Sequence, residues 1–344
     1  MSKHHHSKRH PLLRIFSLLV MTIVLLAGSY GVRIFSQTKV AVHKTYDNKV
    51  VKKKVVNLAE KKPFSVLLLG TDTGALGRSE KGRTDTMILV TVNPKANRTT
   101  MISIPRDTLS HVQSSAYTGA TKINAQYTYN DVKGAVDSVT TMFNVPINYY
   151  ALVNMGGLEK IVDAVGGVDV NVAFSWSDPY SQGSFTKGPA HLNGKQALAY
   201  ARMRHQDPAG DYGRQKRQQE VISAIVSQAL SAQTFNNYGE LMNSLADNLR
   251  TNLSFDELVT LANQYRGAFE NVTQDHVSEI GAYINAASYQ VPSTAELQRV
   301  SNLARGELGL SSTTLDNYNT KENALNAQNG FNWNSDSNPR YLLY

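Results

Sequence analysis

Hydrophobic residues fall along the chain in blocks whose spacing separates strands from helices. Residues 64–70, FSVLLLG, form a continuous apolar run closed by glycine, the pattern of a strand buried on both faces. TMILVTVN (86–93) and TTMISI (99–104) repeat it, separated by a polar loop over 71–84 and a turn from Pro94 to Arg98, so the three runs predict a β-meander. Helical spacing follows over 131–143, then a strand NYYALVN (148–154), a helix from Met155 to Val165 stopped by Gly166-Gly167, and an alternating strand VDVNV (168–172). Residues 193–201 predict a short helix, and 212–232 a longer one with VISAIVSQAL on its apolar side. Ser254-x-x-Glu257 and Ser293-x-x-Glu296 have the spacing of capping boxes and mark two helix starts. Strands and helices interleaved in this way predict an α/β fold, an α-β-α sandwich with one central mixed sheet flanked by helices.

The two ends follow other patterns. IFSLLVMTIVLLAGSYGV, residues 15–32, carries no charge over 18 residues, about the minimum for crossing a bilayer core at ~1.5 Å per residue. It reads as an N-terminal transmembrane helix; a cleaved signal peptide, with Ala27-Gly28-Ser29 after the apolar run, is the competing reading. Lys3, Lys8, Arg9 and Arg14 precede the span and Arg33, Lys39, Lys44 and Lys49 follow it, so basic flanks do not decide its orientation. The chain divides into a tail (1–14), the span (15–32), a basic stalk (33–62), an α/β domain (63–232), a mostly helical C-terminal part of that domain (233–310), and a tail rich in Ser, Thr, Asn and Asp (311–344) that reads as disordered.

Composition changes this picture in two respects. The 344 residues contain no cysteine, which excludes disulfide frameworks, thiolate metal sites and thiol nucleophiles. The formal charge of +8 invites nucleic acid as a partner, but 13 Lys and Arg against 2 acidic residues lie in 1–62, a net of +11, leaving 22 basic against 25 acidic in 63–344. The folded part is therefore not a generally basic surface, no nucleic-acid partner is expected, and any anion must be gripped by locally clustered arginines.

Two clusters carry such chemistry. If the meander runs up, down and up, one sheet edge collects Asp72, Arg83, Asp85, Arg106 and Asp107, and strands only ~4.8 Å apart let Asp72 and Asp85 share a cation. Two hard carboxylates without histidine or cysteine suit Mg²⁺ completed by water and phosphate oxygens; a turn cap at Asp72 and an Asp85–Arg83 pair would use the same residues without metal. In AYARMRHQDPAGDYGRQKRQQE, Arg202 and Arg204 share a face if the segment is extended, and Asp211, Arg214 and Gln218 line one helix face at i, i+3, i+7. Arginine forks suit bidentate oxygen anions, phosphates above all, although a salt-bridged solvated helix has the same spacing. Gly77 to Thr84 comes close to a P-loop, but Arg83 stands where lysine is required and a strand follows.

The order VLLLGTDT, GRTDTMILVTV, MISIPRDT, KINAQYTYN, LEKIVDAVGGVDV, GPAHLNGKQALAYARMR and DPAGDYGRQKRQQ, over about 63–230, resembles the LytR-CpsA-Psr family of Gram-positive cell-envelope proteins. The resemblance implies a membrane-anchored phosphotransferase, its catalytic domain outside the cell, that moves an anionic glycopolymer such as wall teichoic acid or capsular polysaccharide from a polyprenyl-pyrophosphate carrier to peptidoglycan. It implies Mg²⁺ at Asp72 and Asp85, catalytic pyrophosphate contacts from Arg83, Arg106, Arg202 and Arg204, and substrate contacts from Lys122 and Asn124 of the K-I-N motif and from Arg214 and Gln218 in the helix behind, where spacing adds Asp211. Asp107 is either the group that takes the hydroxyl proton, a role a metal-bound carboxylate could equally fill, or a salt-bridge partner. A membrane-bound regulator and a lipid-pyrophosphate hydrolase are the rival readings, since water and a sugar hydroxyl attack the same phosphorus.

Overall fold

The three hydrophobic runs pair as neighbouring antiparallel strands in the computed structural model, which describes residues 46–47, 56–73, 82–179, 183–230, 248–335 and 337–344. The elements in chain order are β1 (Phe64–Thr71), β2 (Thr84–Asn93), β3 (Arg98–Ser103), β4 (Leu109–Gln113), β5 (Thr118–Lys122), α1 (Gln126–Phe143), β6 (Tyr149–Asn154), α2 (Met155–Ala164), β7 (Val168–Val172), β8 (Trp176–Asp178), β9 (Gly183–Phe185) and β10 (Gly188–Leu192). They continue with α3 (Gly194–Arg202), α4 (Gly210–Ala229), β11 (Leu249–Thr251), α5 (Phe255–Gln264), α6 (Arg266–Glu270), β12 (Val272–His276), β13 (Ile280–Ile284), β14 (Ala287–Val291), α7 (Thr294–Glu307) and α8 (Tyr318–Gln328).

The central sheet has the order β11-β6-β1-β2-β3-β12, with β1–β6 and β3–β12 parallel and the other pairs antiparallel. Both faces of β1 are covered, which explains its unbroken apolar run. Leu67 and Leu69 pack with Met87, Leu89 and Ile102 under Val136 and Val139 of α1 and Val300 of α7. Phe64 and Val66 point the other way, toward Ile88, Tyr149 and Tyr265, with Ile222 of α4 against the same cluster. The mixed sandwich expected from the pattern is present.

Four expectations need correction. Residues 233–310 are not mostly helical where described: β11 and β12 extend the central sheet at both edges, and β13–β14 form a hairpin. VTQDH of β12 carries too little apolar alternation to announce a strand; it forms because β3 offers it a parallel backbone ladder. The strand 168–172 stands outside the central sheet, in a ribbon with β10. Residues 311–344 are not disordered. Asn317 caps α8, Asn319 donates to Leu109 O at 2.7 Å, Asn323 to Pro292 O at 3.0 Å and Asn326 to Leu342 O at 2.8 Å, while Phe331 and Tyr341 are buried. Asparagine there brackets backbone rather than solvating it. The stalk reading also fails at its end: Leu58 is buried, Tyr265 Oη donates to Leu58 O and Lys62 O, and Asp47 N donates to Thr251 O at 2.8 Å.

Both capping serines work as expected, but only Ser254 closes a reciprocal box with Glu257; Glu296 turns instead to Ser278 N and Arg299. The tail 1–14 and the span 15–32 lie outside the described residues, among which no helix is long and apolar enough to cross a membrane.

Candidate functional site

Beyond the ends of β1 and β3 and the start of β2, the chain gathers the charged residues that spacing had placed at one sheet edge. The β1–β2 register slips between Gly70 and Thr71, and a Cβ on Gly70 would lie 2.9 Å from Thr86 Cβ, so glycine lets the strands close there. Asp72 follows directly. Its Oδ1 sits where a Cβ on Gly82 would reach within 2.2 Å, which brings the far end of the loop, and Arg83 after it, alongside.

Asp85 pairs with Arg106, not Arg83: Arg106 Nη1 donates to Asp85 Oδ2 at 2.7 Å. Asn124 Nδ2 donates to Asp85 Oδ1 at 3.1 Å, leaving the buried Asn124 Oδ1 without a protein partner. Burial disfavours the Arg106 cation, but the carboxylates of Asp85, Asp107 and Asp211 outweigh it and hold the guanidinium above its ordinary pKa. Asp107 bridges two cations, Lys122 Nζ at 2.8 Å and Arg106 Nε at 3.7 Å.

Arg202 and Arg204 do not share an extended segment. Arg202 is the last residue of α3, the buried Met203 is extended at φ −57° and ψ 135°, and Arg204 begins a turn. What fixes this turn is Arg217, which the spacing argument had not singled out. Its guanidinium donates to Tyr200 O at 3.0 Å and to Met203 O, and pairs with Asp207. One turn earlier on α4, Arg214 is 8% exposed, 2.9 Å from Asp211, with a buried Nε that has no acceptor. Burial is the main cause that lowers its pKa; Asp211 and Asp85 oppose it, while Arg106 and Arg204 lower it further, so several cations crowd this point. Such a cluster is stabilised by an anion.

Beside these residues lies a cavity of about 530 Å³ between the sheet and helices α2, α3 and α4. Asp72, Asp85, Arg106, Arg202, Arg204, Arg214 and Gln218 line it, together with the apolar Leu68, Val153, Leu158, Ile161, Leu198, Ile222, Ile225 and Val226. Arg83, Asp107, Lys122, Asn124 and Asp211 stand outside the lining. The apolar side of α4 therefore lines a hollow in part; no periodicity distinguishes a hollow-facing side from a core-facing one. Asp72, just past the end of β1, and Asp85, at the start of the neighbouring β2, are hard oxygen donors. No group of three or more His, Cys, Asp and Glu able to hold a metal occurs among the described residues, so a cation here would take most of its ligands from water and substrate oxygens, the habit of Mg²⁺.

The fold is a mixed α/β sandwich with a cavity lined by arginines, aspartates and many apolar side chains. The chain belongs to the LytR_cpsA_psr family, whose profile matches residues 29–306. It is 42% identical over 296 residues to the Enterococcus faecalis polyisoprenyl-teichoic acid–peptidoglycan teichoic acid transferase TagU, covering 86% of this chain and 96% of that one. The crystal structure of Bacillus subtilis TagU superposes with a TM-score of 0.57 at 36% identity, over 72% of this chain and 97% of that one. A structure described as TagT bound to LIIa-WTA superposes with a TM-score of 0.62 at 27% identity, over 75% and 94%.

Proposed function

We propose that this chain is a phosphotransferase that attaches an anionic glycopolymer of the teichoic acid type, carried on polyprenyl pyrophosphate, to peptidoglycan. The observation that carries this reading is one cavity lined by both apolar side chains and arginines, which fits a substrate with a hydrocarbon tail and a charged pyrophosphate head. The relatives' names describe that chemistry.

In the reaction, Ile222, Ile225 and their neighbours take the prenyl chain out of water, and Arg202, Arg204 and Arg214 receive the pyrophosphate oxygens. An acceptor hydroxyl attacks the sugar-proximal phosphorus, the P–O bond to the lipid phosphate breaks, and polyprenyl phosphate leaves. Such a transfer requires mainly positioning and neutralisation of developing charge, which preorganised guanidinium groups supply. Arg106 is held by Asp85 and Asp107, and Arg217 anchors the turn that presents Arg204, so little reorganisation is required on binding. Mg²⁺ held at Asp72 and Asp85 would add a further positive charge beside the phosphate oxygens.

The span 15–32 would tether the domain to the outer membrane surface, where the lipid carrier is presented. Protease added to intact protoplasts should digest 63–344 and spare a short N-terminal fragment. The function itself is tested by incubating the protein with a short lipid-pyrophosphate glycan and peptidoglycan oligomers. A phosphodiester-linked conjugate supports it, and release of free glycan phosphate without conjugate replaces transfer by hydrolysis.

A further inference from the structure

Outside the cavity, Tyr117 and Tyr129 form a stacked pair with ring centres 5.4 Å apart and planes inclined by 25°, yet they are 40% and 39% exposed. The pair is rigid despite its exposure. Tyr117 Oη donates to Ala120 O at 3.1 Å, and Ser114 Oγ accepts from the backbone N–H groups of Ala116 and Tyr117. The ring lies over Gly119, whose φ of +152° favours glycine and where a Cβ would fall 2.8 Å from Tyr117 Oη.

Both sides of this pair connect to the charged rim. Next to Tyr129, Thr128 Oγ1 donates to Gly82 O at 3.4 Å, and Gly82 packs on Asp72. Tyr289, on β14, has its hydroxyl pKa raised by burial first and then by the fields of Tyr117 and Tyr129, with Arg83 opposing. Lys122 Nζ stands 5.7 Å from the Tyr289 ring centre and 2.8 Å from Asp107. A fixed aromatic surface with hydroxyls at its edge matches a pyranose ring, which has an apolar C–H face and a rim of hydroxyls. A phosphate chain offers nothing to stack.

Position decides which saccharide. The cavity lies on the α4 face of the sheet, whereas Tyr129 belongs to α1, which covers the opposite face, and Tyr117 stacks on it from the turn between β4 and β5. Attacking and leaving oxygens must lie roughly in line on phosphorus, so with the lipid phosphate leaving toward the cavity, the attacking hydroxyl enters from the tyrosine side. We propose that Tyr117, Tyr129 and Tyr289 form the acceptor subsite, stacking on a sugar ring of the peptidoglycan glycan; this rests on the transferase reading above.

The test uses a β-1,4-linked N-acetylglucosamine tetramer as probe, titrated by calorimetry into the intact protein, with donor-lipid affinity measured in parallel. Binding by the wild type should weaken at least about tenfold in the Tyr117→Ala/Tyr129→Ala double variant and persist in Tyr117→Phe, which keeps the ring, while donor affinity is unchanged. No tetramer binding by the wild type, equal binding by the double variant, or a parallel loss of donor affinity overturns the subsite. If the tetramer binds the strip but no lipid-pyrophosphate donor supports transfer, the transferase reading fails and the saccharide site stands. If transfer proceeds with an unchanged acceptor KM in the double variant, the subsite fails and the transferase stands.

Discussion

The Asp85 carboxylate is bound at 2.7 Å by the Arg106 guanidinium, reached across the β2–β3 pair from the turn that follows β3. One carboxylate thus holds an arginine at the cavity, and it is also the group that a cation bound at Asp72 and Asp85 would use.

Asp85→Asn should keep the shape and the contact with Asn124 while removing the charge. The Mg²⁺ concentration for half-maximal transfer should rise by about tenfold or more, with the rate partly restored at high Mg²⁺. A rate profile against Mg²⁺ that matches the wild type would remove Asp85 from any metal role.

Arg204→Lys keeps the charge but loses the planar fork that engages two oxygens. Loss of one charge-assisted bond is worth ~1.5–3 kcal/mol, or roughly tenfold to more than a hundredfold in the donor dissociation constant, at saturating Mg²⁺. Arg214→Met should cost more, because it removes a buried guanidinium outright and takes from Asp211 its partner at 2.9 Å, leaving Gln215 Nε2 at 3.2 Å and Arg204 at 3.9 Å. Donor binding at fixed, saturating metal distinguishes these variants from Asp85→Asn.

Ile225 lines the cavity and is only partly buried, so a charge there should spare the fold while opposing the tail. Ile225→Asp should raise KM for donors with long prenyl chains and leave short-chain donors nearly unaffected. An equal effect on both would mean the chain lies elsewhere.

Glu279 is half-buried; its Oε1 accepts a hydrogen bond from Thr108 Oγ1, and its Oε2 is itself buried without a partner. Burial, reinforced by Asp107, Asp211 and Glu296, pushes its pKa well above the ordinary 4.5, against the Thr108 bond. The folded state therefore keeps a proton that the unfolded chain gives up, so its contribution to stability declines as pH rises above the ordinary carboxylate range. Glu279→Gln should flatten that decline, seen as a smaller fall in Tm between weakly acidic and mildly alkaline buffer. Parallel Tm profiles for both proteins would contradict the burial account.

Tyr341 is 2% exposed, donates from Oη to Asn323 Oδ1 at 2.7 Å and meets Phe331 edge-on. Tyr341→Ala should destabilise the domain by about 3–5 kcal/mol, as large aromatic truncations in cores do. Chemical denaturation showing no change would return the last residues to a dispensable tail.

The meander and the helices at 155–164, 194–202 and 210–229 were legible because each carries a long apolar run or a cap beside it. β11 and β12 were not, since three to five mostly polar residues become strands only when a neighbouring ladder is waiting. In α8, asparagines that signal solvation by composition are buried and bonded to backbone, a use that composition does not encode. At the site, residue types and one-edge clustering could be read from spacing, whereas the Arg106 partner of Asp85 and the bracing by Arg217 depend on turns. The cavity was invisible because Ile222 and Ile225 have the same period whether they face a sheet or a hollow.

Transfer at this site is decided most directly by where the sugar-proximal phosphorus goes. With a donor labelled at that atom and a peptidoglycan oligomer as acceptor, the label should appear in the conjugate, one phosphorus per linkage, while unlabelled polyprenyl phosphate is released. Label recovered in the lipid product, or only as glycan phosphate in water, would contradict transfer at this site.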